Sequence, residues 1–176
     1  LAELPQLRVL NLADNLLQTP PPALADLGQL RRLYLNKNMR LDMAAMVGQL
    51  KSLPYLQYLD LAGCDLQTLQ ENFDQLQQLR VLNLGDNPNL KLAEVFAELG
   101  QMPNLRQVLI SNSDIQALPE QVALLGQLHK LDLSYNRLTT LPEAIYELPK
   151  DLQLILYNNR ITKRNKKKLK NSIRGI

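Results

Sequence analysis

The residues that can perform acid–base, nucleophilic or metal chemistry are scarce in this sequence. His129 is the only histidine and Cys64 the only cysteine of the 176 residues, and no serine or cysteine lies where His129 would activate it as a nucleophile. The chain also lacks a phosphate-binding loop, a Cys/His metal cluster and a glycine-rich dinucleotide turn. We therefore expect no catalytic residue, no metal site and no cofactor, and a binding protein rather than an enzyme.

Charge divides the chain into an acidic body and a basic end. Residues 1–159 contain 12 Lys and Arg and all 17 Asp and Glu, a formal charge of −5, whereas residues 160–176 contain eight basic and no acidic residues. The acidic body makes nucleic acid an unfavourable partner for the domain as a whole. The basic end is either a solvated cap or a patch for phosphate or anionic membrane. We favour the cap because no aromatic residues interleave the charges.

The elements that must position these residues are set by an internal repeat. The pattern L-x-x-L-x-L-x-x-N begins at residues 7, 30, 56, 79, 105, 128 and 151, which defines units 1 to 7 of 23 or 26 residues. Of the 18 key apolar positions in units 1 to 6, 16 are Leu; the others are Val108 and Ile110, and unit 7 begins with Asp151. The fourth and sixth residues of a unit would share one face of a strand. No unit buries that face alone, so the units must stack and share a core.

These repeats resemble the leucine-rich repeat family over essentially the whole chain. The resemblance implies an α/β solenoid, a right-handed curved superhelix with a parallel sheet of about seven short strands on the concave face and 3₁₀ or short helices and loops on the convex face. It also implies a ladder of inward polar side chains that bond to neighbouring loops and tolerate Cys or Ser among Asn, which makes Cys64 a structural residue. The ladder positions are Asn15, Asn38, Cys64, Asn87, Ser113, Asn136 and Asn159.

The return segments of the two repeat lengths differ. The 23-residue units 5 and 6 carry a Leu-Pro corner, in residues 117–127 and 140–150, which is similar to the short class of the family with irregular or 3₁₀ convex turns; unit 1 departs from it, with Pro20, Pro21 and Pro22 at the corner. The 26-residue units instead have apolar residues at helical spacing. This spacing predicts convex helices at about 44–52 and 93–101.

We predict one solenoid domain over residues 1–162 and a basic capping helix over 163–176. Thr162 is a good N-cap residue, and Leu169 and Ile173 would share one face of that helix. Residues 1–6 match the end of a preceding unit, so the N-terminal edge would expose an unpaired strand. We therefore expect further repeats before Leu1, or self-association through this edge.

The compartment is open between intracellular and the bacterial cell surface. The chain has no signal-peptide pattern, and no stretch is long enough to span a membrane. The Leu-Pro repeats and the absence of cysteine caps favour a bacterial or intracellular protein over a disulfide-capped animal ectodomain.

The outward positions of the concave face, the third, fifth, seventh and eighth residues of each unit, are the place for a binding site. The fold does not require Tyr or Leu there, and interface hot spots favour Tyr and Arg. Tyr34 and Tyr58 alternatively only pack on each other across neighbouring strands. The candidate partner-binding residues are Arg32, Tyr34, Tyr58, Asp60, Val81, Asn83, Gln107, Leu109, Lys130 and Asp132.

Three functions fit these features, and the first is the leading prediction. It is a scaffold for protein–protein interaction, with a protein ligand that the sequence does not identify. The second is the regulatory or substrate-recognition part of a larger signalling protein or enzyme. The third is an adaptor for anionic membrane or nucleic acid through the basic tail. A row of arginines occupies the second position of the units (Arg8, Arg31, Arg80 and Arg106). These arginines either bind an acidic partner or only keep the protein soluble, and the sequence favours solubility because this position is commonly basic in the family.

Overall fold

The chain forms a solenoid around a seven-stranded parallel sheet in a computed structural model that describes residues 4–165. The strands are β1 (Val9–Asn11), β2 (Arg32–Tyr34), β3 (Tyr58–Asp60), β4 (Val81–Asn83), β5 (Gln107–Leu109), β6 (Lys130–Asp132) and β7 (Gln153–Ile155). They lie in the sheet in chain order, and equivalent repeat positions are paired throughout. The predicted α/β solenoid with a parallel sheet of seven strands is confirmed.

One apolar core runs along the solenoid because the same repeat positions point inward in every unit. The fourth residues of units 2 to 7 are at most 1% exposed, and Phe73 and Phe96 in the return segments are fully buried. Unit 7 differs from the expected pattern. Asp151 is exposed and Leu152 is fully buried, because the chain turns at Pro149, whose carbonyl accepts the N–H of Leu152 at 3.0 Å.

The return segments follow the two repeat lengths. The 26-residue units carry α1 (Met43–Leu50) and α2 (Leu92–Leu99), each of which begins one residue and ends two residues before the predicted bounds. Asp42 caps α1 by accepting the N–H of Ala45 at 3.0 Å. The 23-residue units carry 3₁₀ helices at Pro22–Leu24, Phe73–Gln75, Glu120–Leu125 and Glu143–Glu147.

The ladder residues join each loop to its neighbour, and Asn87 shows the full pattern. Its Oδ1 accepts the N–H groups of Cys64 and Leu66 in the preceding unit, at 3.1 and 3.0 Å. Its Nδ2 donates to three carbonyls, those of Leu61, Leu84 and Gly85, each at 3.0 Å. Asn136, two units further along, makes the same five bonds with the equivalent groups. The buried Asn amide thus satisfies backbone N–H and C=O groups that lie beyond the strand ends and have no partner within the sheet.

The two ladder positions without Asn, Cys64 and Ser113, each follow a helix-bearing unit. In these units the chain turns directly after the ladder residue, and Leu41 and Leu90 donate their N–H groups to Asn38 and Asn87 of their own units. The Ser113 hydroxyl accepts the N–H of Asn87 at 3.2 Å, and the Cys64 thiol donates to the Leu35 carbonyl at 3.4 Å.

The last residues described begin the segment predicted to cap the solenoid. The Thr162 hydroxyl accepts the N–H of Asn165 at 3.4 Å, and residues 163–165 are helical. This geometry is that of an N-cap residue. The rest of the predicted helix, with Leu169 and Ile173, lies outside the described residues, as do residues 1–3 of the preceding unit.

Candidate functional site

The sheet face that points away from the core carries two rows of side chains. The third residues of the units form the first row: Val9, Arg32, Tyr58, Val81, Gln107, Lys130 and Gln153. The fifth residues form the second row: Asn11, Tyr34, Asp60, Asn83, Leu109, Asp132 and Ile155. All ten predicted partner-binding residues lie in these rows, on β2 to β6, so the fold brings them together on one surface.

The ten residues differ in how much surface they present. Arg32 is exposed and Asp60 is only 8% exposed, whereas the other eight are partly exposed. A partner can therefore contact most of this patch directly, but it meets little of Asp60.

Tyr34 and Tyr58 do contact each other, with ring centroids 5.0 Å apart and ring planes tilted by 44°. The Tyr58 hydroxyl also donates to Oδ2 of Asp60 at 3.2 Å. Burial, reinforced by the Asp60 carboxylate, raises the pKa of Tyr58. The tyrosines thus present two preordered, half-exposed rings, which lose little side-chain entropy when a partner covers them.

Several polar residues of the second row close the turn that follows their strand. Oδ1 of Asp60 accepts the N–H of Ala62 at 3.1 Å and a hydrogen bond from Nδ2 of Asn83 at 3.0 Å. Oδ1 of Asp132 accepts both the N–H and the hydroxyl of Ser134, at 3.0 and 2.6 Å. These i to i+2 bonds are Asx turns, which the spacing of the repeat alone does not indicate. Both carboxylates therefore have a structural role in addition to any contact with a partner.

A second aromatic pair, absent from the predicted patch, lies at the C-terminal end of the face. The rings of Tyr135 and Tyr157 are 5.1 Å apart in an edge-on arrangement and are 54% and 56% exposed. Tyr135 is the eighth residue of unit 6, a position with φ between +53° and +64° in all seven units. The other occupants of this position are Asp14, Lys37, Gly63, Asp86, Asn112 and Asn158. A tyrosine in this left-handed conformation costs stability. Its presence where the other units have Asp, Asn, Gly or Lys is therefore the signal in the sequence that points to a role for Tyr135.

The residues considered for catalysis lie apart from this face or are buried. His129 is exposed just before β6, while Cys64 is 4% exposed, and burial raises the pKa of its thiol. Within residues 4–165, no group of three or more His, Cys, Asp or Glu side chains is arranged to hold a metal ion. Over the same residues, no helix has the length and apolar character required to cross a membrane.

Comparison with known families matches the repeats directly. A leucine-rich repeat model matches residues 103–162, and a second model of leucine-rich repeats matches residues 6–27 and 55–76. These segments cover more than half of the chain, which therefore belongs to the leucine-rich repeat family. Domains of this family generally serve in protein interaction, and they are typically binding scaffolds without enzymatic activity. No curated protein sequence matches the chain significantly.

Solved structures share the fold along nearly the whole chain. A leucine-rich repeat protein of Leptospira interrogans is 34% identical with a TM-score of 0.70, and the match covers 97% of this chain and 42% of that one. TLR13, solved as a complex with ssRNA13, is 28% identical with a TM-score of 0.76, over 92% of this chain and 24% of that one. An internalin from Listeria monocytogenes shows the same fold at 22% identity and a TM-score of 0.53, over 92% of this chain and 51% of that one.

The chain thus spans less than half the length of the first two of these proteins. The likeness to the Leptospira protein favours the bacterial origin predicted from the repeats.

Proposed function

We propose that this solenoid binds a protein partner on the outward face of its sheet, with Tyr34 and Tyr58 as the central anchors. The observation that carries the proposal is the preordered ring pair beside Arg32, on a face where the fold requires no aromatic residue. Tyr and Arg dominate interface hot spots, because each covers a large area while keeping a polar group to pair. The general use of leucine-rich repeats in protein interaction supports the same function.

The surrounding residues fit a polar, moderately sized interface. Val81 and Leu109 give partly exposed apolar contacts on β4 and β5, and Gln107 and Lys130 give hydrogen-bonding groups on β5 and β6. Seven strands at a spacing of ~4.8 Å make a face of roughly 30 Å, which is enough for an extended segment or one edge of a domain.

The proposal is tested by selecting peptide binders from a displayed library against the wild-type chain and measuring each clone against variants. The test variant is Tyr34→Ala with Tyr58→Ala, and its matched control is Tyr55→Ala with Leu124→Ala, two side chains that are each 50% exposed outside the strands. We expect most clones to lose about tenfold or more in affinity for the test variant, and little for the control. The melting curves of both variants should stay near that of the wild type.

The result that contradicts the proposal is unaltered affinity of the selected clones for the test variant while that variant remains folded. The role of the domain in a longer protein is a second candidate, because the matched structures extend well beyond the region that this chain covers. In that case the same face would recognise a regulator or a substrate of the larger protein.

A further inference from the structure

We propose that the partner segment is acidic and that its carboxylates are recognised by the arginine edge, a row formed by Arg8, Arg31, Arg80 and Arg106 at the strand starts with Arg32 beside it. This inference rests on the proposed function, because the edge borders the face that carries Tyr34 and Tyr58. It names the chemistry of the partner.

The arginine edge is continuous in space. The N–H of Arg31 bonds to the carbonyl of Arg8, and the N–H of Arg106 bonds to that of Arg80, both at 2.8 Å. Only Gln57 intervenes, bonded to Arg31 on one side and to Arg80 on the other, each at 2.9 Å. With strands ~4.8 Å apart, the Cα atoms of successive arginines along this row lie about 5 to 10 Å from one another.

The fold gives this edge no ion-pair partner within 4.0 Å among residues 4–165. The ion pairs described there are Lys91 with Glu94 and Arg137 with Asp114, and neither pair involves a strand residue. Arg8, Arg31, Arg32 and Arg80 are exposed, whereas Arg106 is held in place by hydrogen bonds to the carbonyls of Pro103, Leu105 and Gln127. Like charges on neighbouring strands repel, so the row lowers the stability of the isolated fold. An acidic partner removes that repulsion.

Charge is segregated between the strands and the rest of the solenoid. The first six residues of the seven units carry six Arg and Lys and three Asp, a net charge of +3. The remainder of residues 1–159 carries six basic and 14 acidic residues, a net charge of −8. Within residues 1–159, the field therefore attracts an acidic segment to the sheet and repels it from the other surfaces of the solenoid.

A short protein segment fits this field better than a nucleic acid. Asp14 and Asp86 are exposed at the opposite ends of the strands, where Lys37 and Arg40 line the same hollow, so a long polyanion crossing the sheet gains no net attraction there. The rings of Tyr34 and Tyr58 also pack against each other and do not stand apart to stack bases. A segment that lies along the strand starts avoids both problems.

The test measures fluorescence anisotropy of three labelled probes with the full chain at low and physiological salt. The probes are oligoglutamate, oligolysine and oligouridine, each about ten units long, because ten extended residues span ~33 Å and match the face. We expect oligoglutamate to bind most tightly and to weaken as salt increases. Arg31→Gln with Arg80→Gln should weaken it about tenfold. The control, Arg40→Gln with Arg160→Gln, removes the same charge outside the strands and should change the affinity by less than about twofold.

Three results overturn the inference: oligoglutamate does not bind, the two variants weaken it equally, or oligouridine binds more tightly and depends on Arg31 and Arg80. The peptide clones selected for the proposed function separate the two ideas. Clones that depend on Tyr34 and Tyr58 but not on the arginines support the proposed binding face and contradict the acidic partner. Clones whose affinity depends neither on Tyr34 and Tyr58 nor on Arg31 and Arg80 contradict the binding face itself.

Discussion

Replacing Asn87 by Ser is the sharpest test of how the ladder holds the solenoid together. Asn87 is fully buried and its side chain makes five hydrogen bonds to backbone groups, two accepted and three donated. A serine hydroxyl is shorter and recovers one of them at most. At least one buried N–H group is then left without an acceptor, at about 1–3 kcal/mol, and each carbonyl bond lost adds roughly 0.5–1.5 kcal/mol.

The expected loss is therefore about 3–5 kcal/mol in the free energy of unfolding, which is several times that of an ordinary surface substitution. With a urea m-value of about 2 kcal/mol/M, the unfolding midpoint should fall by roughly 1.5–2.5 M. Far-UV circular dichroism in urea at neutral pH measures this shift. The change should also be visible in the melting temperature.

The matched control is Cys64→Ser, which places the same side chain at a ladder position that follows a helix-bearing unit. The Cys64 thiol donates to the Leu35 carbonyl, a bond that a serine hydroxyl can also make, so we expect a loss of about 1 kcal/mol or less. Asn15→Ser is a second control, since Asn15 is exposed and its amide bonds only to Leu12 and Ala13 of its own unit. The account of the ladder is wrong if Asn87→Ser costs under 1 kcal/mol, or if Cys64→Ser costs as much as Asn87→Ser.

Three further predictions concern other features of the solenoid. Lys37→Asn should raise the free energy of unfolding by about 0.5–1 kcal/mol and Gly63→Ala should lower it by about 1 kcal/mol in urea titrations, because both positions have positive φ; the opposite signs would refute this. Stability should fall more steeply above pH 10 in the wild type than in Tyr58→Phe, because the unfolded tyrosine ionises at its ordinary pKa of 10.0 while folded Tyr58 keeps its proton; equal slopes would contradict the pKa argument. Cys64 should react with iodoacetamide only after unfolding, and fast labelling of the native chain would show that the thiol is accessible.

The sequence predicted the repeated part of the fold because periodic leucines leave few alternatives. Seven units in phase predict the strands, their order and the inward residues, since each unit can bury its leucines only against its neighbours. The helix bounds were less accurate, by one or two residues, because end positions depend on caps such as Asp42.

The candidate site was less predictable, because side-chain contacts depend on local backbone geometry. The pattern placed Asp60 and Asp132 on the outward face, but it did not show that their carboxylates close the turns after β3 and β6. It also did not show that Tyr135 adopts a positive φ and meets Tyr157. Spacing identifies which face a residue occupies, whereas its exposure depends on hydrogen bonds that spacing does not encode.

The alternation of ladder residues also affects how stiff the solenoid is along its length. Asn87 and Asn136 each join two units by several side-chain bonds, whereas the shorter side chains of Cys64 and Ser113 bond more weakly to the unit before them. The junctions at β2–β3 and β4–β5 are thus the most flexible joints of the solenoid. Amide hydrogens at these two joints should exchange before those at the other junctions. Tyr34 and Tyr58 lie on opposite sides of the first joint, so a ligand that wedges between their rings would bend the solenoid where bending is easiest.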